Sequence, residues 1–378
     1  MRVGIDYLPA VAHAPGVGRY AREMVRAAVR CKGGPQLALF EWGSGPRAME
    51  GAPLGLADPQ LPLRRRRFLL PRRALTLGNR WFRLGADDLL GGVDVFHRIL
   101  PEQPPVRRAP QVLPIAELPP PGSPADLALA EAVRRASATA VFCEHYALEV
   151  PKRYGVDPAS VAQVSVGAEH WVRDLAGQAG DPFAAQEAGR SGDSPPRILV
   201  LGALRPERRP ELALAGFERL RAGGAPAQLC LVGRPAQAAP AFREALDRSP
   251  VAGDVRWIDD PIEGQMPSLV AGSAVLLHLA QDEGSPVTPL EACAMGLAIA
   301  AERLPAFEEA LGDLGSWMPR DPNAAQVADA LAAALGLTHE RSARIALAQG
   351  YTWTRCAQQH FALWEAVAAG RPPGQVAR

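Results

Sequence analysis

The chain of 378 residues is 48% hydrophobic and 21% charged, with a formal net charge of +1. Its length is enough for two domains with cores of their own, and the balanced charge argues against a protein whose whole surface binds nucleic acid. The five cysteines are scattered, odd in number and without a Cys-x-x-Cys pair. They argue against a disulfide framework and against a structural zinc site.

In the first half of the chain, short apolar runs bounded by turns alternate with helical patterns. The predicted strands are Arg2–Asp6, Leu37–Trp42, Val93–His97, Gln111–Ala116, Ala138–Cys143 and Ala162–Val166. The predicted helices are Arg19–Arg30, Asp126–Arg135 and His145–Tyr154. Apolar runs that are each followed by a helix are typical of parallel sheets buried on both faces.

Residues 174–196 are rich in Gly, Ala, Gln, Asp and Pro and lack apolar periodicity, which predicts a linker between domains. After the linker the alternation resumes. The predicted strands are Arg197–Leu201, Gln228–Val232, Val255–Ile258, Ala274–Leu279 and Leu297–Ala300. The predicted helices are Pro210–Arg221, Gln265–Ala271, Pro289–Met295 and Ala324–Ala334.

The predicted organisation is an α/β chain with two doubly wound domains, residues 1–173 and 197–351, joined by the linker 174–196. Such sheets bind ligands at the carboxyl ends of their strands, and a cleft between two facing domains suits a transfer between two substrates. Residues 352–378 follow as a helix and a tail. The helix has Trp353, Ala357, Phe361 and Trp364 on one stripe, so we expect it to dock on a domain surface.

The location of the chain in the cell is predicted from two features. Asp6 stands where a signal peptide needs apolar residues. The longest nearly apolar run, Ser268–Ala280, is too short to span a bilayer. A cytoplasmic protein is therefore expected.

The strongest local motif is Glu283-Gly-Ser-Pro-Val-Thr-Pro-Leu-Glu291, which follows a predicted buried strand and runs into a predicted helix. Backbone N–H groups in the first turn of a helix attract anions, so two carboxylates around that turn indicate a ligand site. An alternative accounts for one of them, because Thr288-Pro-Leu-Glu291 has the pattern of a capping box, with Thr288 as N-cap and Glu291 at N3. Capping does not explain Glu283, which precedes the helix.

Two loops after predicted strands could also bind ligands. The loop after Leu201 contains Gly202, Arg205 and Arg208, and arginines can match the charge of a diphosphate without a metal. The loop after the first strand contains Gly16 and Gly18, which allow a substrate to approach the backbone closely. The alternatives are a solvated loop with ordinary surface arginines and a plain turn from strand to helix.

The order of these motifs resembles the retaining glycosyltransferases of family 4, whose GT-B fold has two Rossmann-like domains facing a central cleft. The resemblance rests on MRVGID…GVGRYAREMV, ILVLGALRPERRPEL, LCLVGRP, EGSPVTPLEACAMG and the Thr352-Trp353 pair before the last helix. It implies transfer of a sugar from a UDP- or GDP-linked donor to a glycan or lipid-linked acceptor, with retention of configuration. It also implies that the helix in 352–378 crosses back to the first domain.

The resemblance assigns roles to particular residues. Arg208 and Arg205 would bind the donor diphosphate, Glu283 the transferred sugar and Glu291 the ribose. The backbone of Gly284, Ser285, Pro286 and Val287 would face the phosphates and the sugar, and the loop of Gly16 and Gly18 would close over the junction of donor and acceptor. No Asp-x-Asp occurs, so no metal site is expected.

Departures from the family pattern lie in both domains, and in the second one Leu279-Ala280 replaces the Pro-Ser pair often found before the two glutamates. Family members often have His where this chain has Pro114 and Ala116, and only Glu117 is acidic there. His97, at the end of the preceding strand, is a candidate substitute, and a packed core histidine is the alternative. The departures favour a second hypothesis, a catalytically degenerate GT-B homologue that acts as a binding or partner subunit. A nucleotide-sugar epimerase of GT-B form is a third.

A basic segment lies between the predicted elements of the first domain. Eight arginines fall within twenty residues that contain no acid: Arg64, Arg65, Arg66, Arg67, Arg72, Arg73, Arg80 and Arg83. Interleaved or flanking apolar residues include Phe68 and Trp81. Such a segment can bind an anionic membrane surface, which predicts peripheral binding to the inner membrane face. An acidic glycan, nucleic acid or a merely solvated face are the alternatives, although no nucleic-acid partner is expected.

Overall fold

The computed structural model describes residues 1–11, 16–42, 60–68, 78, 81, 84–101, 104–179, 195–259, 261, 263–337 and 340–373. The chain divides into two units. Unit 1 contains Met1–Gly167 and Trp353–Arg378, and unit 2 contains Ala168–Thr352. Among the helices of the described residues, none combines the length and the apolar character needed to cross a membrane.

Each unit is built on one sheet of parallel strands, called sheet 1 in unit 1 and sheet 2 in unit 2. The strands of unit 1 are β1 (Arg2–Asp6), β2 (Gln36–Trp42), β3 (Leu63–Phe68), β4 (Val95–His97), β5 (Gln111–Ile115), β6 (Ala138–Val141) and β7 (Val161–Gln163). The strands of unit 2 are β8 (Arg197–Leu201), β9 (Gln228–Val232), β10 (Val255–Ile258), β11 (Val275–His278), β12 (Ala298–Glu302) and β13 (Gly315–Met318).

Helices connect the strands. Those in the segment Met1–Gly167 of unit 1 are α1 (Leu8–Val11), α2 (Val17–Ala28), α3 (Ala86–Leu89), α4 (Pro124–Arg135) and α5 (Glu144–Tyr154). Those of unit 2 are α6 (His170–Ala179), α7 (Pro210–Ala222), α8 (Ala239–Asp247), α9 (Met266–Ala271), α10 (Val287–Ala294), α11 (Pro305–Leu311), α12 (Ala324–Gly336) and α13 (Arg341–Ala348). The last, α14 (Trp353–Ala368), belongs to unit 1.

The two sheets have the same strand order. It is β3-β2-β1-β4-β5-β6-β7 in unit 1 and β10-β9-β8-β11-β12-β13 in unit 2. Numbered from the first strand of each unit, both follow 3-2-1-4-5-6, the order of a doubly wound Rossmann-like sheet, with one additional strand in unit 1. The order reverses between β1 and β4 and between β8 and β11, and ligands of such sheets bind beyond the carboxyl ends of the strands at this switch point.

Burial of the strands explains why most were predictable. All four residues of β11 are buried, and β8, β9 and β12 are mostly buried. Their apolar side chains form the core of unit 2 with helices α7 and α12, through residues such as Phe217 and Val327. Continuous apolar runs are expected of parallel strands covered on both faces.

Several elements were missed by the sequence. The strand β3 consists largely of arginines, and it lies at the edge of sheet 1, where its side chains reach solvent. The strand β13 and the helices α1, α3, α6, α8, α11 and α13 were also missed. In each case the segment is short, or its polar residues break the apolar period on which the prediction depended.

The domain boundaries differ from the predicted ones. The division falls after Gly167 instead of residue 173, and the predicted linker 174–196 begins inside α6. Residues 180–194 of that linker lie outside the described residues. The helix α14 packs on α2 within unit 1, so its aromatic stripe is covered by the unit to which it belongs.

Candidate functional site

The carboxyl edge of sheet 2 brings two loops together at the switch point. The loop after β8 starts at Gly202, whose φ of 129° is in the region that favours glycine. A Cβ on Gly233, which follows β9, would lie 1.8 Å from the carbonyl oxygen of Gly202. Glycine at position 233 therefore allows the backbones after β8 and β9 to pack in direct contact. Beside them a cavity is lined by Gly202, Ala203, Arg208 and His278, among others.

Three charged or polar side chains meet in this region. Arg208 ends a short turn after β8, His278 is the last residue of β11, and Glu283 follows five residues later. The Arg208 Nη1 donates to Glu283 Oε2 at 2.7 Å, and His278 Nε2 lies 2.8 Å from the same oxygen. Arg208 and His278 are 2.9 Å apart at these nitrogens. We refer to these three residues as the unit 2 triad.

The triad holds an ionised carboxylate away from water. Glu283 is 6% exposed and His278 is 2% exposed. Burial by itself would raise the pKa of Glu283, but the Arg208 guanidinium and His278 outweigh it and lower that pKa to about 2. Glu283 is therefore a carboxylate at neutral pH, with a cation on one side.

A second acidic group fixes the loops around the triad. Glu302, the last residue of β12, is buried and accepts hydrogen bonds from the backbone N–H groups of Ala280 at 2.9 Å and Asp321 at 3.2 Å. It also pairs with Arg209, whose backbone adopts a positive φ of 44°. One carboxylate thus ties the loops after β8, β11 and β13 together. Sequence reasoning missed Glu302, because nothing local distinguishes it from an ordinary strand residue.

The predicted phosphate-facing residues lie directly after the triad. Gly284, Ser285 and Pro286 lead into α10, which begins at Val287. The predicted capping box is wrong, because Pro286 is the N-cap, Thr288 is the second helical residue, and no side chain caps this end. Donor groups in the first turn of α10 are therefore not occupied by a Thr288 side chain.

The predicted ribose ligand Glu291 lies deeper. It is the fifth residue of α10 and is fully buried. Its Oε1 is 3.4 Å from Nε2 of His170, itself almost fully buried at the start of α6. Since α6 begins immediately after the start of unit 2, this pair connects the beginning of the unit to α10. A ribose contact would require this carboxylate to become accessible.

The remaining donor-side prediction, Arg205, begins the short turn that contains Arg208. It is partly exposed and its backbone has an extended conformation. Its position three residues before Arg208 puts it in the same loop, but the contacts that define the triad involve Arg208.

In unit 1 the two predicted glycines lie at the start of α2. Gly16 is the N-cap with a φ of 67°, and a Cβ there would meet nothing within 4 Å. The reason for glycine at this position is therefore backbone conformation and not crowding. Gly18 is buried within the first turn of α2.

His97 is part of a buried cluster in unit 1. It is fully buried, lies 3.2 Å from the Tyr20 hydroxyl and accepts a hydrogen bond from Trp364 Nε1 at 3.3 Å. The Tyr20 hydroxyl also contacts His360 Nε2 at 2.7 Å. Burial, and then the neighbouring His360, lower the pKa of His97 well below its usual value. This environment matches the alternative interpretation of His97, a packed core histidine.

The positions where relatives have histidine are in and after β5. Pro114 is inside this strand and Ala116 follows it, with Glu117 exposed beyond. The carboxyl edge of sheet 1 has another buried acid, Asp6, at the end of β1. Burial raises the pKa of Asp6 to about 7, against the N–H of Leu8 and the charge of Arg98. Asp6 was not predicted as a site residue from the sequence.

The basic segment is described in part. Arg64, Arg65, Arg66 and Arg67 form most of the edge strand β3 and are all exposed. Arg65 makes two contacts with Glu41 on β2, one of them from Nη2 at 3.0 Å. Trp81 is 72% exposed. The predicted arginines Arg72, Arg73, Arg80 and Arg83 lie outside the described residues.

Comparison with known structures identifies the class of fold. WaaG, a glycosyltransferase involved in lipopolysaccharide biosynthesis, matches over 97% of this chain and 98% of its own, with 15% identity and a TM-score of 0.67. An α,α-trehalose-phosphate synthase (UDP-forming) from Burkholderia vietnamiensis covers 98% and 99%, with 14% identity and a TM-score of 0.68. Anabaena HepE in complex with UDP and glucose covers 95% and 97%, with 13% identity and a TM-score of 0.70. The chain has the GT-B fold.

Sequence comparison points more narrowly at unit 2. Residues 184–349 match the family described as "Glycosyl transferases group 1". The match covers less than half of the chain, and it contains all three residues of the triad. No curated protein matches the sequence. The family match and the fold together support a transferase of the glycosyltransferase kind.

Proposed function

We propose that the chain is a metal-independent glycosyltransferase that moves a hexosyl group from a nucleotide-sugar donor to a glycan or lipid-linked acceptor, with retention of configuration. In this proposal unit 2 binds the donor at its switch point, and the carboxyl edge of sheet 1 serves the acceptor. The observation that carries the proposal is the triad, because it puts a cation and an ionised carboxylate at the edge where such sheets bind ligands.

Arg208 is proposed to bind the donor diphosphate. Its guanidinium is a partly exposed cation beside the cavity of unit 2, and Arg–phosphate pairs are strong charge-assisted contacts. The first turn of α10 offers backbone N–H donors nearby in sequence to Glu283. A guanidinium and backbone donors can stabilise a leaving diphosphate without a metal. Arg205 is proposed to assist from the same loop.

Glu283 is proposed to contact the transferred sugar. It is ionised, and its second carboxylate oxygen is available for hydroxyl donors, since both triad contacts go to Oε2. Gly284, Ser285, Pro286 and Val287 would border the phosphates and the sugar. Two of the similar structures hold UDP with a sugar, glucose in one and GlcNAc in the other, and this makes UDP-glucose and UDP-GlcNAc suitable first probes.

Donor binding can be tested by calorimetric titration of UDP and GDP in the absence of metal. We expect micromolar binding of one nucleotide, weakened about 10-fold or more in Arg208→Ala, because a charged hydrogen bond contributes roughly 1.5–3 kcal/mol. Arg219→Ala is the matched control, since Arg219 is an exposed arginine on the adjacent helix α7. Equal losses in both variants, or binding that Arg208→Ala leaves intact, would contradict the donor site.

A catalytically degenerate GT-B homologue is the second candidate. Pro114 and Ala116 replace the histidines that relatives often have, and the candidate substitute His97 is sealed in the core of unit 1. Such a protein would bind the nucleotide and turn over no donor. Release of UDP from UDP-glucose or UDP-GlcNAc, or of GDP from GDP-mannose, distinguishes the two candidates.

A membrane surface is proposed as a further partner. Three exposed arginines of β3, namely Arg64, Arg66 and Arg67, lie on an edge strand beside β2, whose Glu41 pairs with Arg65. Basic residues near an anionic bilayer contribute about 1 kcal/mol each. The affinity for vesicles of phosphatidylglycerol and phosphatidylcholine, measured by cosedimentation, should therefore fall about 100-fold when Arg64, Arg66 and Arg67 are all replaced by glutamine. Vesicles of phosphatidylcholine alone are the control, and equal binding to both would contradict the proposal.

A further inference from the structure

His278 is a buried residue of the triad to which neither the sequence motifs nor the fold assigns a role. It is 2% exposed, and its ring packs edge-on against Phe307 at a centroid distance of 5.2 Å. Its place at the end of β11 is fixed by pairing with β12, where His278 is opposite Ala301. Strand pairing and ring packing leave His278 little freedom to move.

The three contacts of the triad bear on the position of the proton on His278. Nε2 faces both the Arg208 guanidinium and Glu283 Oε2. Arginine can only donate. A bare Nε2 would accept from Arg208 Nη1 at 2.9 Å, but its lone pair would then also face a carboxylate oxygen 2.8 Å away. A proton on Nε2 instead satisfies the carboxylate, and both Arg208 and His278 then donate to one oxygen.

The two donors to Glu283 differ in how they respond to a ligand. Arg208 is on a loop, is partly exposed and is a cation that a diphosphate would attract. His278 is buried on a strand, and its imidazole has one nitrogen facing the carboxylate. When a diphosphate binds Arg208 in place of Glu283, Glu283 retains its hydrogen bond from His278.

We propose that His278 is the positioning residue for Glu283: its Nε2–H holds the carboxylate oriented toward the sugar while the donor diphosphate engages Arg208. This inference rests on the proposed function. His278 acts through Glu283 and makes no contact with substrate itself. It therefore governs the turnover of the bound donor more than the binding of the nucleotide.

The test compares His278→Leu, which removes the donor, with His278→Gln, whose side-chain amide can replace the N–H. For UDP-glucose, UDP-GlcNAc or GDP-mannose, whichever the wild type hydrolyses, kcat should fall about 10- to 100-fold in His278→Leu. Affinity for the free nucleotide should stay within about twofold, because the nucleotide lacks the sugar. His278→Gln should recover most of kcat. The acidic limb of the kcat profile should move to higher pH in His278→Leu alone.

Selective ¹⁵N-histidine labelling gives a readout that does not depend on activity. Long-range ¹H–¹⁵N couplings, assigned with His278→Gln, should report a proton on Nε2 of His278. A bare Nε2, an unchanged kcat in His278→Leu, or equal losses in both variants would overturn the inference while the proposed function stands. A wild type that neither binds UDP or GDP nor hydrolyses any of the three donors would overturn the proposed function, and the inference would fall with it.

Discussion

His97 and His278 occupy equivalent positions in the two sheets. Each is the last residue of the strand that pairs with the first strand of its unit at the switch point. That strand is β4, beside β1, in unit 1 and β11, beside β8, in unit 2. In unit 1 the ring is fully buried against Tyr20, His360 and Trp364. In unit 2 it lies against Glu283 and Arg208, at a cavity.

The difference shows that position in a fold does not decide what a residue does. The helix α14 supplies both His360 and Trp364, and with Tyr20 they enclose His97 in neutral partners. Burial without a counter-charge favours the neutral imidazole. In unit 2 a guanidinium and a carboxylate provide charge next to the same residue type. The first arrangement packs α14 on the rest of unit 1, and the second is the one that we propose to bind the donor.

Removal of the charge at the unit 2 triad should have the largest effect. In Glu283→Gln, donor turnover should fall about 100- to 1,000-fold, the size expected for losing a positioned electrostatic group. Nucleotide affinity should hold or rise, because Arg208 is released from its ion pair. Glu207→Gln, which changes an exposed carboxylate next to Arg208 in the loop after β8, is the control. Turnover that survives in Glu283→Gln would remove Glu283 from the proposed site.

Replacement of His97 should affect the stability of unit 1 instead of donor turnover. His97→Leu leaves the indole N–H of Trp364 without its acceptor, which costs about 1–3 kcal/mol. Hydrogen exchange of α14 should therefore become faster, while nucleotide binding by unit 2 is unchanged. A loss of donor turnover in His97→Leu with unchanged exchange of α14 would reverse the comparison and revive the catalytic interpretation of His97.

A smaller effect is expected from a change in pH, and it should distinguish the cluster around His97 in unit 1 from the unit 2 triad. Burial lowers the pKa of His360 from 6.5 to about 4, so its stabilising contribution is complete above pH 6.5 and is lost as the pH falls toward 4. The pKa of Glu283 is lowered from 4.5 to about 2, so its contribution is lost only below pH 4.5. At pH 5 the cluster around His97 should be weakened, and the unit 2 triad should be intact.

Asp6 must be neutralised for this measurement. Its pKa is raised to about 7 by burial, so lowering the pH stabilises unit 1 through Asp6 and opposes the effect of His360. In the Asp6→Asn variant, the amide protection factors of α14, corrected for the slower intrinsic exchange at low pH, should fall between pH 7.5 and pH 5, while those of α10 should not. Parallel changes in α10 and α14 would show that the two clusters are not titrating separately.

Much of the fold could be predicted from the sequence, and the reasons are physical. The bounds of β1, β8 and β9 were predicted correctly, because continuous apolar runs mark a buried parallel strand. The arginine-rich β3 was missed because its place depends on pairing with β2 and on the contact of Arg65 with Glu41, which no local pattern encodes. An edge strand needs only one partner, so its own composition constrains it weakly.

The site was predictable to a similar extent. Arg208 and Glu283 were singled out because each lies in a loop with an unusual run of residues. His278 was not singled out, and its proposed role depends on a distance of 2.8 Å between its Nε2 and Oε2 of Glu283, five residues later in the chain. The capping alternative for Glu291 was wrong, since its helix starts at Val287 and not after Thr288. Spacing indicates candidates, but it does not say which of them meet.

The discontinuity of unit 1 has a consequence for synthesis on the ribosome. Unit 2 is one continuous stretch, Ala168–Thr352, whereas unit 1 needs both Met1–Gly167 and α14. Domains fold largely as they emerge, from the N-terminus onward. Here the nascent unit 1 must wait with Tyr20 and His97 uncovered until all of unit 2 has been translated. The unit whose synthesis begins first is therefore completed second, and the residues around His97 are covered only once α14 has been made.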